Sequence, residues 1–255
     1  MDVLRQFAVS FDFDRGEVRI RDTVSSADVV GMTSVPLGFD QVGRPTVSAN
    51  CGDFEGTFVI DTGSQTNSVE RDLFDHLVQE GRILPGSEFA SMTLAGVSLS
   101  RSGLLNRLTL DSFSHQQLLC DNGDANVLGT RYLARYRCVF DFNSSTLYLK
   151  PGRRYDSLDP RGRSGLSIVK SESGFSVARV ASPSPAQNVG LTPGDEILSI
   201  DGAPTTDMDL FRAGRHLSEL PGKSRMLVVR RGSERVNVEL TPEERFTPLP
   251  ANSAN

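Results

Sequence analysis

The chain has 255 residues, a net charge of −5, 38% hydrophobic and 23% charged residues, 23 glycines and 13 prolines. That composition fits a soluble, loop-rich and strand-rich globular protein with one large or two ordinary domains. It argues against nucleic-acid binding, which calls for a basic surface, and no apolar run reaches the roughly 18 residues of a membrane-spanning helix.

The start, Met1-Asp2-Val3-Leu4-Arg5-Gln6-Phe7, lacks the basic stretch and apolar core of a signal peptide. The compartment stays open: a periplasmic or secreted location would follow if the full-length chain carries an N-terminal signal. Residues 7–13 and 17–20 alternate like two strands around Asp14-Arg15-Gly16. The pattern returns 129 residues later, where Leu133, Phe140, Asp141 and Phe142 repeat Leu4, Phe11, Asp12 and Phe13. Such self-similarity points to duplication, with residues 1–22 as the closing hairpin of an earlier repeat. The plainer alternative is two unrelated hairpins built from similar strand formers.

A polar connector spans residues 23–33. Residues 46–49 and 57–60 read as short strands flanking the turn Gly52-Asp53. The second strand, Phe58-Val59-Ile60, runs into Asp61-Thr62-Gly63-Ser64. An acid at the end of a buried strand is costly unless the site uses it. Residues 69–78 carry Val69, Leu73 and Leu77 at helical spacing, with Gly81 as a stop. Strands are predicted at 89–94, 97–99, 104–110 and 116–120, with Gly86, Gly96, Gly103 and Asn122-Gly123 marking turns. Val127-Leu128-Gly129 leads into a short helix near 130–134 and a last hairpin, 138–142 with 146–149.

A polar linker, 151–163, precedes a second domain. Its predicted strands are 166–170, 175–180, 196–200, 225–230 and 235–240. Its predicted helices are 184–189 and 208–220, the latter with Asp207 as N-cap. Residues 242–255, rich in Pro, Ala, Ser and Asn, read as a disordered tail. Arg230-Arg231 reads as solvated charge at a hairpin end. Cys51, Cys120 and Cys138 sit in apolar stretches and read as buried free thiols. His76, His115 and His216 have no metal-ligand spacing, and Asp121-Asn122-Gly123-Asp124 reads as a turn, so no metal or other cofactor is expected.

Residues 34–150, with Asp61-Thr62-Gly63 after an apolar strand and Val127-Leu128-Gly129 about 65 residues on, resemble a retropepsin-like aspartic protease domain. The resemblance implies a closed, barrel-like β domain. It makes Asp61, Thr62, Gly63 and Ser64 the catalytic loop, with Val127, Leu128 and Gly129 bracing it. It also implies a flap hairpin, for which residues 95–103 are the candidate. An ordinary surface hairpin is the alternative there. Thr62 would bond a partner loop, and the Ser64 hydroxyl is placed to bond Asp61.

Residues 164–241 resemble a PDZ domain of the kind common in bacterial proteases, through Ser164-Gly165-Leu166-Ser167-Ile168, Pro185-Ala186 and the run Gly190–Gly202. The implied fold class is mainly β: a barrel-like domain plus a small α+β PDZ domain. The implied partner is a peptide or protein C-terminus, captured at 164–168 beside the strand 166–170 and the helix 208–220. The alternative is that those side chains only fill the core. The combination is similar to bacterial aspartyl proteases, so the expected activity is peptide-bond hydrolysis by an Asp dyad and an activated water. One Asp-Thr-Gly is half a dyad; the second aspartate would come from a homodimer mate or from an N-terminal repeat. The competing reading is a non-catalytic peptide-binding adaptor that uses only the second domain.

Overall fold

The computed structural model describes residues 6–93, 96–218 and 220–246. The chain divides into two compact units, one carried by residues up to Leu158 and one spanning Asp159–Thr247.

The first unit opens with a hairpin of β1 (Ala8–Asp12) and β2 (Glu17–Arg21). Then come β3 (Thr33–Pro36), β4 (Gly38–Phe39), β5 (Pro45–Cys51), β6 (Phe54–Ile60), β7 (Asn67–Glu70) and the helix α1 (Arg71–Gln79). A long hairpin of β8 (Ile83–Thr93) and β9 (Gly96–Leu110) leads to β10 (Phe113–Gly123) and β11 (Val127–Leu128). A short helix α2 (Thr130–Leu133) and the hairpin β12 (Tyr136–Asp141) and β13 (Thr146–Pro151) complete it.

Six of these strands close on themselves. Hydrogen-bonded neighbours run β5–β6–β11–β7–β10–β9, and β9 returns to β5 through Asn50↔Thr109 and Cys51↔Leu108. Closure removes free edges. Alternation builds the interior: on β5, Val47, Ala49 and Cys51 are buried while Ser48 and Asn50 face out. Phe58, Ile60, Phe74, Leu77, Leu105 and Leu110 share that core. A second sheet has the order β2-β1-β12-β13-β3. Its β12 and β13 side chains Cys138, Phe140, Leu147 and Leu149 join the same core.

The second unit contains β14 (Gly162–Arg163), β15 (Leu166–Ser171), β16 (Gly174–Val180), helix α3 (Pro185–Asn188), β17 (Glu196–Ile200) and β18 (Ala203–Pro204). Helix α4 (Leu210–Ser218), β19 (Arg225–Arg231), β20 (Glu234–Leu240) and β21 (Glu243–Glu244) follow. The sheet order is β15-β16-β17-β19-β20, with β18 on β17. Phe175, Val177, Ile197, Ala213, Leu217, Leu227 and Leu240 form a separate core.

Several expectations are corrected. Val69 lies on β7, not in α1; Glu70 caps that helix by accepting from the Leu73 amide at 3.3 Å. Gly103 is no turn: β9 runs straight through it, because its missing side chain lets Phe74 and Ile83 pack where a Cβ would stand 2.5 Å from Ile83 Cγ2. Helix α4 starts at Leu210, and Asp209 rather than Asp207 caps it, accepting from the Arg212 amide at 2.6 Å. Residues placed in the linker and the tail pair with each other as β14 and β21, and Phe246 is buried. Arg231 is exposed as expected, but it is also paired: it grips the buried carboxylate of Asp195 at 2.8 and 2.7 Å. Of the expected tail, residues 247–255 lie outside the described residues, as does Ala95 of the expected flap.

Candidate functional site

Two places bring predicted site residues together, one in each unit.

In the first unit, β6 delivers Asp61. Phe58, Val59 and Ile60 are buried, Asp61 is half-buried, and Thr62 and Gly63 are exposed. The loop turns at once: the Gly63 amide donates to Asp61 Oδ1 at 2.8 Å, and the Ser64 amide donates to the Asp61 carbonyl at 3.2 Å. The first bond fixes the carboxylate rotamer.

The expected bracing segment lies alongside. β11 runs parallel to β6, pairing Val127 with Val59 and Leu128 with Ile60. The Asp61 amide donates to the Leu128 carbonyl at 3.1 Å. Gly129 then passes over the loop so closely that a Cβ there would stand 2.2 Å from the Thr66 carbonyl oxygen and 2.8 Å from that of Ser64. Only glycine fits that approach. The Thr130 amide and hydroxyl both donate to the Ser64 carbonyl, at 2.8 and 3.0 Å, and the Arg131 amide reaches the Gln65 carbonyl at 3.3 Å. The first turn of α2 thus clamps the loop that holds Asp61.

One expected contact is not made. The Ser64 hydroxyl donates to the Thr66 carbonyl at 2.9 Å, not to Asp61, because the loop folds back on itself after Gly63. Sequence reasoning also missed Asn67. It is buried, accepts from the Gly129 amide at 3.2 Å and donates to the Leu119 carbonyl at 3.1 Å, joining brace, loop and β10. Its signal was faint: one more polar residue in the run Ser64-Gln65-Thr66-Asn67-Ser68.

Behind α2 lies a buried aromatic cluster. His115 Nε2 shares a hydrogen bond with the Tyr136 hydroxyl, which in turn meets the Tyr132 hydroxyl at 3.3 Å. Tyr155 packs edge-on against His115, with ring centroids 4.8 Å apart. Burial, aided by the nearby Arg135 guanidinium, lowers the His115 pKa to about 4. The three cysteines are buried thiols outside any disulfide, and burial pushes the Cys51 thiol up to about 12, which disfavours its reactive thiolate.

In the second unit, the loop Ser164-Gly165 precedes β15. Gly165 has φ +82°, and a Cβ there would stand 2.2 Å from Ser184 Cβ. The Gly165 carbonyl accepts from the Ala181 amide at 2.8 Å, and the Ser164 carbonyl from the Ala186 amide at 2.9 Å. The Leu166 amide points back to Ser164 Oγ at 3.3 Å. β15 ends its sheet, so its outer edge pairs with no strand among the described residues. Leu166 and Ile168 pack against the core of this unit while Ser167 and Val169 point outward. Lys170 closes the far end, donating to the Met208 carbonyl at 3.1 Å just ahead of α4. Five residues expected at one site, Ser164 to Ile168, are therefore contiguous on one loop and one strand edge. No cluster of three or more metal-ligating side chains occurs among the described residues.

Residues 162–241 match the PDZ domain family model. Syntenin-2 from Rattus norvegicus is 36% identical over 84 residues, which are 32% of this chain and 28% of that protein. The match therefore spans under a third of that relative. Among solved structures, the HtrA3 PDZ domain bound to a phage-derived ligand (FGRWV) is similar at 27% identity, over 33% of this chain and 88% of that one, with a TM-score of 0.29. A retropepsin-like aspartic protease from Rickettsia conorii is similar at 15% identity, over 46% of this chain and 90% of that one, with a TM-score of 0.35.

Proposed function

We propose that the protein is an aspartic-type endopeptidase in which Asp61 is one of two catalytic carboxylates and the PDZ domain binds peptide or protein C-termini. The observation that carries this reading is the clamp on the Asp61 loop. A half-buried carboxylate is oriented by a backbone amide, braced by a parallel strand and crossed by a glycine that no other residue can replace. A merely structural acid needs none of that.

Two carboxylates a few ångströms apart share one proton, since both cannot ionise at that distance. The ionised member takes a proton from water as it attacks the peptide carbonyl. The protonated member donates to the carbonyl oxygen, and the leaving nitrogen is protonated as the C–N bond breaks. Thr62 and Gly63 are exposed and so open to a partner loop. The flap candidate, residues 95–103, would cover substrate and exclude water.

The PDZ edge would receive a peptide as an added strand beside β15, with its carboxylate on the loop at Gly165 and Leu166. The carboxylate would compete with Ser164 Oγ for the Leu166 amide.

The test is cleavage of a broad peptide library by the longest natural form of the protein. Asp61→Asn is expected to lower kcat/KM by roughly 10²–10⁴-fold. Equal cleavage by both forms, or none by the wild type, refutes the reading. A second reading, a peptide-binding adaptor, is favoured by the single Asp-Thr-Gly in 255 residues. It predicts peptide binding that Asp61→Asn leaves untouched, and no hydrolysis.

A further inference from the structure

Gly214 stands in the middle of α4, where glycine weakens a helix relative to alanine. Nothing in the backbone calls for it there. The helix runs on through it, with the Gly214 carbonyl accepting from the Ser218 hydroxyl at 2.7 Å. It is not one of the glycines with positive φ. Nor does it relieve a close approach, as Gly103, Gly129 and Gly165 do. A Cβ at Gly214 would meet no atom within 4 Å, although the residue is half-buried. The missing side chain leaves a notch in the wall of the helix.

That notch opens on the groove between α4 and β15. At about 3.6 residues per turn, Ala213 and Leu217 point into the core of this unit, against which Leu166 and Ile168 pack from β15. One flank of the helix carries Arg212 and His216, and the His216 carbonyl accepts from Arg225 of β19 at 3.0 Å. β16 and β17 separate β19 from β15 in the sheet, so that flank faces away from β15. The opposite flank, Leu210 and Gly214, faces β15. Leu210 is 41% exposed there.

The two ends of the groove are fixed. Lys170, late on β15, donates to the Met208 carbonyl at 3.1 Å just ahead of α4. Leu210 therefore lies toward the Lys170 end, and Gly214, one turn on, lies nearer the Gly165 loop. A peptide whose carboxylate reaches that loop runs antiparallel to β15. Its last side chain and the one two residues earlier share a face, about 6.6 Å apart. Leu210 and Gly214 are about 6 Å apart along the helix axis. The two spacings match, so the last side chain meets the notch and the earlier one meets Leu210.

We infer that this groove selects peptides whose last residue is aromatic and whose third-from-last residue is apolar. The ring enters the notch at Gly214 between Ile168 and Leu217, where a smaller side chain would leave unfilled space. The earlier apolar side chain covers Leu210 and removes its exposed surface from water. This selectivity deepens the peptide-binding reading of the second unit and rests on it.

Fluorescence anisotropy on the full chain tests the inference, with labelled peptides that differ only at their ends. A peptide ending Leu-x-Phe should bind at least about tenfold tighter than one ending Leu-x-Val or Asp-x-Phe. Gly214→Leu introduces a better helix former, so the fold should survive, which a thermal melt checks. It should weaken the Leu-x-Phe peptide at least about tenfold and leave the Leu-x-Val peptide within about threefold. Gly214→Ala should weaken the Leu-x-Phe peptide by less. Equal binding of the Phe and Val peptides, or a Gly214→Leu chain that keeps the Phe preference or loses both peptides alike, overturns the inference. A preference for Val over Phe sinks the selectivity and leaves the peptide-binding reading standing. If no acid peptide binds better than its amide, that reading fails and the selectivity falls with it.

Discussion

Gly129 is the residue on which the site geometry turns. Its backbone occupies space that a methyl group would share with the Thr66 and Ser64 carbonyl oxygens, both backbone atoms that cannot swing aside. Gly129→Ala should therefore destabilise the first unit by about 1–3 kcal/mol, as overpacking does. It should also shift the Asp61 loop, lowering kcat/KM at least about tenfold. Thermal melts and steady-state kinetics check the two effects separately. His115 gives a different prediction. Its pKa falls from 6.5 in the unfolded chain to about 4 in the native state, because burial disfavours the imidazolium. The unfolded state thus binds the extra proton first. Stability is unaffected by this group above about pH 6.5 and falls as the pH drops from there to about 4, by up to about 3 kcal/mol. His115→Phe should flatten that slope, read as the difference in Tm between pH 4.5 and pH 7. Asp61, Gly129 and Gly165 were legible in the sequence because each sits beside a strong local pattern. Asn67 and His115 were not, because their roles come from partners 52 and 21 residues away.

At the scale of elements, the hairpin strands were legible from alternation and turn residues, as in β12–β13 and β19–β20. The errors have physical causes. Gly103 looks like a turn marker in one dimension, but it is a strand residue relieved of its side chain where Phe74 crosses. Val69 has helical spacing to Leu73, yet β7 pairs there in parallel with β10 through Asn122, which a sequence window cannot show. Arg231 looks unpaired until β19 places it over Asp195, whose carboxyl it holds below the usual carboxylate range. For the PDZ edge, the strained loop is the test. Gly165→Ala puts a methyl group into Ser184 at a φ that side chains avoid. It should weaken binding of a peptide with an apolar C-terminal residue at least about tenfold, read by fluorescence anisotropy, with the amidated peptide as the control that should not bind. Equal binding of acid and amide would remove the carboxylate-capture role from the loop.

At the scale of the whole molecule, two units with separate cores follow from the sequence, whereas barrel closure does not. The β5–β9 contact at Asn50↔Thr109 joins residues far apart in the chain, and no local pattern announces it. Closure is what brings β6 and β11 side by side and so aims Asp61. As a catalytic carboxylate, Asp61 has to belong to a proton-sharing pair. The dependence of kcat/KM on pH, measured on the longest natural form and on its Asp61→Asn variant, tests it most directly. The prediction is a bell-shaped profile for the wild type, whose two apparent pKa values belong to the pair, and background rates for the variant at every pH. A variant that keeps the wild-type bell would contradict it.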